Sequence, residues 1–512
     1  MAVQLFGAID VGSYEIALTI NECSKKNGVR VIDQVSHRIN LGSDTFLTGK
    51  ISCEHVAELK KLLLEYRRIM DDYGVKEYKA YGTSAIREMV NATLVLNEIE
   101  QQTGIHIDVL SNSEQRFLDY KSIAAKTEGF AKIIDKGTAI VDIGGSSIQI
   151  SLFDKDRLVT TENMKLGVLR LYDQMRLIDA GSSRRDYVVE ELVNSQLRVF
   201  QHLYMNGRKI RNLIIVDDYI SPMMQNHMTA AGEPGVVDVH AFLHFMESMR
   251  SINTQELARK LGIADDNIPL LYVSGMLLQC IIRMMNCELL WAPGVTLCDG
   301  IVYDYAVQNR YLQPAHDFEE DIVACARNIA KRYMGLPERG SVIENISLKI
   351  FDETRKYHGM GQRERLLLRI AALLHDCGKY ISMVNAGECA YNIIMSTEII
   401  GLSHIEREIV ANVVKYNHST FEYYGMKKST TDLDREAYIV ITKLTAILRI
   451  ANGLDRSHTQ KCNDVRISVR DLNMIITVNT SQDLTMEKGL FVHRADFFEE
   501  VFGIRPVIKR KK

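Results

Sequence analysis

The stretch AIVDIGGSSIQISLF, Ala139 to Phe153, contains an apolar run, an aspartate, a Gly-Gly-Ser-Ser turn and a second alternating run. A shorter version, AIDVGSYEIALTI, occupies Ala8 to Ile20. In both, the first run is short and almost continuously apolar, as a central strand buried on two faces requires. The glycines after each aspartate permit a tight turn and close approach of backbone to a ligand. Successive amides of such a turn form a nest for phosphate oxygens. Asp10 and Asp142 end their strands, where a carboxylate can hold a hydrated divalent cation against those phosphates. Two copies facing one another make a two-lobed cleft for a polyanion.

The chain has 512 residues, too many for one ordinary core, so three or four domains are expected. Apolar residues make up 46% and charged residues 25%, both ordinary for a globular protein. A net charge of −3 gives no overall electrostatic reason to bind nucleic acid or an acidic membrane, so neither is expected as a partner. The nine cysteines are scattered without CxxC pairs, the pattern of reduced thiols in a cytoplasmic protein. No basic leader precedes Asp10, and no run approaches 18 uncharged apolar residues, so neither a signal peptide nor a spanning helix is expected.

Between the two copies, apolar spacing predicts a helix over Glu54 to Met70 and a short strand at Tyr78–Tyr81. GTSAIREMVNA and TGIHIDVLSNSEQ follow, then the second Asp-Gly device and LGVLRL. In this order the motifs resemble the exopolyphosphatase and guanosine pentaphosphate phosphatase family. LLLRIAALLHDCGKYIS and KLTAILRIANGLDRSHTQK resemble the helical His-Asp-type domain of its long members. The resemblance implies an α/β protein with two ribonuclease-H-like lobes around a cleft, then an all-α domain and a small α/β module. The expected limits are 1–125, 126–310, 315–470 and 471–512. DVRISVRDLNMIITVNT alternates with period two and predicts a hairpin turning at Asp471–Leu472–Asn473.

The family likeness also assigns roles. Glu114 matches the general base, in a segment that also spells a helix-capping box from Ser111. Arg87 is a candidate phosphate clamp, with Gly12, Ser13, Gly144, Gly145, Ser146 and Ser147 as phosphate-binding positions and Asp10 and Asp142 as metal ligands. The implied cofactor is Mg2+ or Mn2+, and a homodimer is the expected assembly. Expected substrates are the terminal phosphate of polyphosphate or the 5′-phosphate of guanosine pentaphosphate; the alternative is a non-catalytic sensor of either. Departures accumulate: Tyr14, Glu15 and Ala17 replace the usual loop, Gln149 replaces an acidic residue, and Asp217-Asp218 stand near a lost glycine turn. In the helical domain His375, Asp376 and Asp455 remain, but Arg339 occupies the place of the first histidine, which favours a scaffold over hydrolysis.

Overall fold

The computed structural model describes residues 3–126, 130–135, 137–155, 157–177, 182–228, 235–249, 252–314, 316–424 and 433–511. The chain forms two compact units, Met1–Phe318 and Glu319–Lys512. The boundary expected from the sequence at 310–315 falls near this division, with residue 315 itself outside the described residues.

In the first unit, strands β1 (Gln4–Val11), β2 (Glu15–Ser24), β3 (Gly28–Arg38), β4 (Glu77–Gly82) and β5 (Asp108–Val109) form a sheet in the order β3-β2-β1-β4-β5. Strands β6 (Thr138–Ile143), β7 (Ile148–Asp154), β8 (Arg157–Met164), β9 (Asn212–Asp217), β10 (Val236–Asp238) and β11 (Leu289–Trp291) form a second, in the order β10-β11-β9-β6-β7-β8. Read from β8, the second sheet repeats the plan of the first and adds β10 at its edge. In each lobe the first two strand pairings are antiparallel and the next two parallel. The duplicated device is therefore one antiparallel hairpin per lobe, β1–β2 and β6–β7. β6 is buried along its whole length, as its unbroken apolar sequence requires. Trp291, the chain's single tryptophan, lies at the end of β11 between Ile214 of β9 and Val236 of β10.

The predicted first helix runs from Cys53 to Tyr73. Ser52 caps it by accepting from the His55 amide, and Gly74 ends it in the left-handed conformation at φ 73°. Val56, Leu59, Leu62, Leu63, Tyr66 and Met70 bury one face, each side chain contributing about 1.5–3 kcal/mol. Tyr66 also donates its hydroxyl to the Ile16 carbonyl at 2.7 Å, fastening helix to sheet. The opposite face of this sheet is covered by residues placed by sequence in the second lobe. Leu297, Ile301 and Val302 of the Leu297–Gln308 helix pack with Phe6 and Ala8, and Tyr305 stacks on Phe6 with ring centroids 3.8 Å apart. The expected limit at 310 therefore misplaces this helix, which closes the first lobe. The helical insertions of the second lobe lie at Ser182–Phe200, Val239–Met249 and Thr254–Leu261; residues 178–181 of the first lie outside the described residues.

Two helices, Ile268–Met285 and Arg435–Leu454, are long and apolar enough to cross a membrane by length and composition; both are mostly buried in the protein, as core helices are.

In the second unit, the Pro337–Glu353, Gln362–Leu374, His404–His418 and Arg435–Leu454 helices pack around Leu368, Leu374, Val413, Leu444 and Ile447. Strands β12 (Val465–Arg470), β13 (Asn473–Val478) and β14 (Arg505–Arg510) add a three-stranded sheet. The expected hairpin is present, and Asp471 and Leu472 take φ 48° and 56° at its tip. A domain limit at 471 cuts through this hairpin. The module also shares the helical core, since Arg449 lies over the Phe497 ring at 4.7 Å.

Candidate active site

The two Gly-Ser turns fold alike. After β1 the Gly12 amide donates to the Glu15 carbonyl at 3.0 Å, and after β6 the Gly144 amide donates to the Ser147 carbonyl at 3.0 Å. The Gly42 amide donates to the Ser13 carbonyl at 2.7 Å; the Leu169 amide donates to the Gly145 carbonyl at 3.0 Å. The turns approach so closely that a Cβ on Gly145 would lie 3.4 Å from Ser13 Cβ and 2.9 Å from Leu169 Cδ1. Space, rather than a positive φ, requires glycine at 145. A cleft of about 900 Å³ opens between the lobes, and Asp10, Gly12, Ser13, Asp142, Gly144 and Gly145 line it as the sequence led us to expect.

Other expected residues do not reach it. Glu114 accepts from the Ser111 amide at 3.0 Å while its own amide donates to Ser111 Oγ at 3.2 Å, which is a capping box. It is not among the residues of the cleft wall, where the resemblance led us to expect a general base. Its neighbour Gln115 lines the cleft instead, with Oε1 buried and lacking a hydrogen-bond partner among the described residues. Arg87 donates to the Leu110 carbonyl at 2.6 Å and to Asn112 Oδ1 at 2.5 Å, outside the wall, and so is a latch between loops rather than a phosphate clamp. Ser146 and Ser147 are buried behind the turn, where the Ser146 carbonyl accepts from Arg170 at 3.1 Å.

The Asn112–Lys126 helix supplies three wall residues, Gln115, Arg116 and Asp119, which share a face by their spacing. Arg116 is 6% exposed and its guanidinium is ion-paired with Asp142, with Asp119 3.9 Å away. Among the described lining residues, Asp10, Glu15, Asp119, Asp142, Asp217 and Asp218 are acidic and Arg116 is the one guanidinium. So many carboxylates in one low-dielectric space cannot all ionise. Burial, then the charge and hydrogen bond of Asp142, hold Asp119 well above the ordinary carboxylate range. Burial, then Asp218 and Glu15, raise Asp10 likewise. Asp217 is raised to about 6 by burial, against hydrogen bonds from the Tyr219 and Ile220 amides and Ser274 Oγ. Those two amides stand at the start of the Ile220–His227 helix. Asp218 differs from Asp217 in being open to the cleft. Desolvation deep between the lobes, then Asp217, Glu15 and Asp142, raise its carboxyl, and its open face works against that rise.

The expected divalent cation does not fit this donor set. One oxygen of Asp142 is ion-paired with Arg116, and a cation beside it would face the guanidinium's like charge. Gln149 donates its amide to Thr161 Oγ1 at 2.7 Å and supplies no charge. Among the described residues no three His, Cys, Asp or Glu side chains converge as a metal cage.

The second unit repeats the device. Arg339 is 1% exposed and donates to Asp455 Oδ2 at 3.0 Å, His375 Nε2 at 2.6 Å, Asn452 Oδ1 at 2.7 Å and Asp376. An arginine only donates, so His375 Nε2 must accept, which fixes the tautomer whose Nδ1–H donates to the Ala372 carbonyl at 2.6 Å. The three residues expected as a degenerate metal site are brought together, around a guanidinium. Glu388 pairs with Lys415 at 2.9 Å.

Sequence reading missed Arg116, Asp119 and Asp218. The available signal was the i, i+3 charged pair Arg116 and Asp119 on one helix, and the unbroken Asp217-Asp218 after a strand.

A model of the Ppx/GppA phosphatase family matches residues 20–309, and one of Ppx/GppA phosphatase, domain III, matches residues 324–495. A guanosine-5′-triphosphate,3′-diphosphate pyrophosphatase of Photobacterium profundum is 19% identical over 415 residues, 80% of each chain. Exopolyphosphatase 1 of Mycobacterium tuberculosis is 20% identical over 312 residues, 58% of this chain and 86% of its own length. The crystal structure of an exopolyphosphatase from Cytophaga hutchinsonii superposes with a TM-score of 0.53 at 18% identity, over 60% of this chain and 98% of that one. A Ppx/GppA family member from Aquifex aeolicus gives 0.50 at 16%, over 60% and 99%. These likenesses show a shared fold.

Proposed function

Because the chain belongs to the Ppx/GppA phosphatase family, a family of phosphoanhydride hydrolases, we propose that it hydrolyses a terminal phosphoanhydride bond held in the inter-lobe cleft. The observation that carries this reading is the pair of matching turns, Gly12–Glu15 and Gly144–Ser147, brought face to face across that cleft. Their amides can cradle phosphate oxygens from both sides. Names of relatives at similar identity support two substrates, polyphosphate and guanosine pentaphosphate.

Water must be positioned and relieved of a proton as it attacks phosphorus. Glu114 is held in a helix cap, so we assign the proton to Asp218, a cleft carboxylate whose pKa is raised toward the working range of a base. Binding without turnover is the second reading, favoured by the uncharged Gln115 in the wall. Phosphate release from long-chain polyphosphate and from guanosine pentaphosphate, measured side by side with and without Mg2+, tests both. Release from one identifies the substrate. Saturable binding with no release from either gives the second reading.

A further inference from the structure

Arg116 stands where the sequence leads one to expect a metal. Its side chain leaves the Asn112–Lys126 helix, crosses to the end of β6 and ion-pairs with Asp142. Its far nitrogen, Nη2, lies 2.9 Å from where a Cβ on Gly144 would be. A Cβ at 144 would press on the end of the guanidinium, so glycine there lets the two approach. The Nε donor is buried and has no acceptor among the described residues. A buried cationic donor without an acceptor, beside a turn of backbone amides, is a place for an anion. Neighbouring Gln115 and Gln149 are uncharged amides, and the carboxylates beside the arginine, Asp142 and Asp119, face its positive charge.

We propose that the Arg116 guanidinium, held against the Gly144–Gly145 turn by Asp142, binds the phosphate that a divalent cation would otherwise bridge, so that phosphoanhydride ligands enter this cleft without a metal. The inference rests on the cleft being a phosphate site and adds how its charge is met. The fork of the guanidinium offers a phosphate two parallel hydrogen bonds, which a lysine ammonium cannot reproduce. Asp142 then serves as an anchor for the arginine rather than as a metal ligand.

The test is calorimetric titration of the whole chain with tripolyphosphate, once in EDTA and once in excess Mg2+. The expected result is binding in EDTA with an affinity within about threefold of that in Mg2+, and Arg116→Lys should weaken it by about tenfold or more. Arg116→Gln/Asp142→Asn removes both charges together, so a buried carboxylate is not left alone; its melting temperature checks the fold, and it should also lose binding in EDTA. Binding that requires Mg2+ in the parent, or a parent-like affinity in a folded double variant, overturns the role of Arg116 and leaves the phosphate cleft standing. No binding in either buffer overturns the phosphate cleft itself, and this inference with it.

Discussion

The Arg339 guanidinium donates through Nε to Asp455 Oδ2 at 3.0 Å, joining the start of the Pro337–Glu353 helix to the end of the Arg435–Leu454 helix. Both side chains are sealed from water, at 2% and 0% exposed. A charge pair in that position costs desolvation to form, but removing one partner costs more.

Arg339→Met should therefore destabilise the helical unit by about 3–5 kcal/mol, because Asp455 and Asp376 lose their shared cation. Arg339→Lys keeps the charge but not the four-way contact, and should fall between. Urea unfolding followed by circular dichroism reads both. A methionine variant as stable as the parent would show the cluster to be energetically idle.

Acid should act on the same cluster. Burial works to raise Asp376, but its ion pairs with Arg339 and Lys379 outweigh it and hold its carboxyl far below the ordinary range. A carboxyl lowered on folding contributes stability that is complete above its unfolded pKa of about 3.9 and fades as pH falls below that. Unfolding midpoints should hold steady from neutrality to about pH 5 on this account and decline below about pH 4. Asp376→Asn should flatten that decline; an unchanged acid limb would remove Asp376 from the linkage.

Gly145→Val tests the meeting of the two turns. Its side chain would collide with Leu169 and press on Ser13, closing the space between the lobes' turns while the strands behind stay paired. Tripolyphosphate binding should be lost with little change in secondary structure. A folded valine variant with parental affinity would place the ligand elsewhere.

Glu114→Gln and Asp218→Asn separate cap from base. The first should leave phosphate release within about twofold, since glutamine keeps most of a cap's hydrogen bond. The second should lower release about 100-fold or more with affinity nearly kept, as loss of a proton acceptor does. The opposite ranking would return the base to Glu114.

The duplicated strand-turn-strand device was legible because an apolar run buried on both faces, ended by Asp and Gly, leaves few alternatives. The long Cys53–Tyr73 helix and the 465–478 hairpin were legible from period and turn residues. Glu114 and Gln115 mark where legibility stops. One step along a helix turns a side chain by about 100°, which exchanges the cap for the cleft wall. Motif order cannot resolve that single step when both residues are the same size. Arg116 was illegible for another reason: a long side chain's destination across the lobes depends on tertiary packing. The loss of a histidine at Arg339 could be read, but what the arginine does there needed the positions of four partners.

Trp291 gives the molecule a built-in optical label. The chain's single indole is wedged between neighbours of the six-stranded sheet, and the Glu319–Lys512 unit carries none. Its emission therefore reports melting of one unit alone, while helical ellipticity records both. Two unfolding steps, if present, can be told apart in the wild-type chain without dyes or added tryptophans.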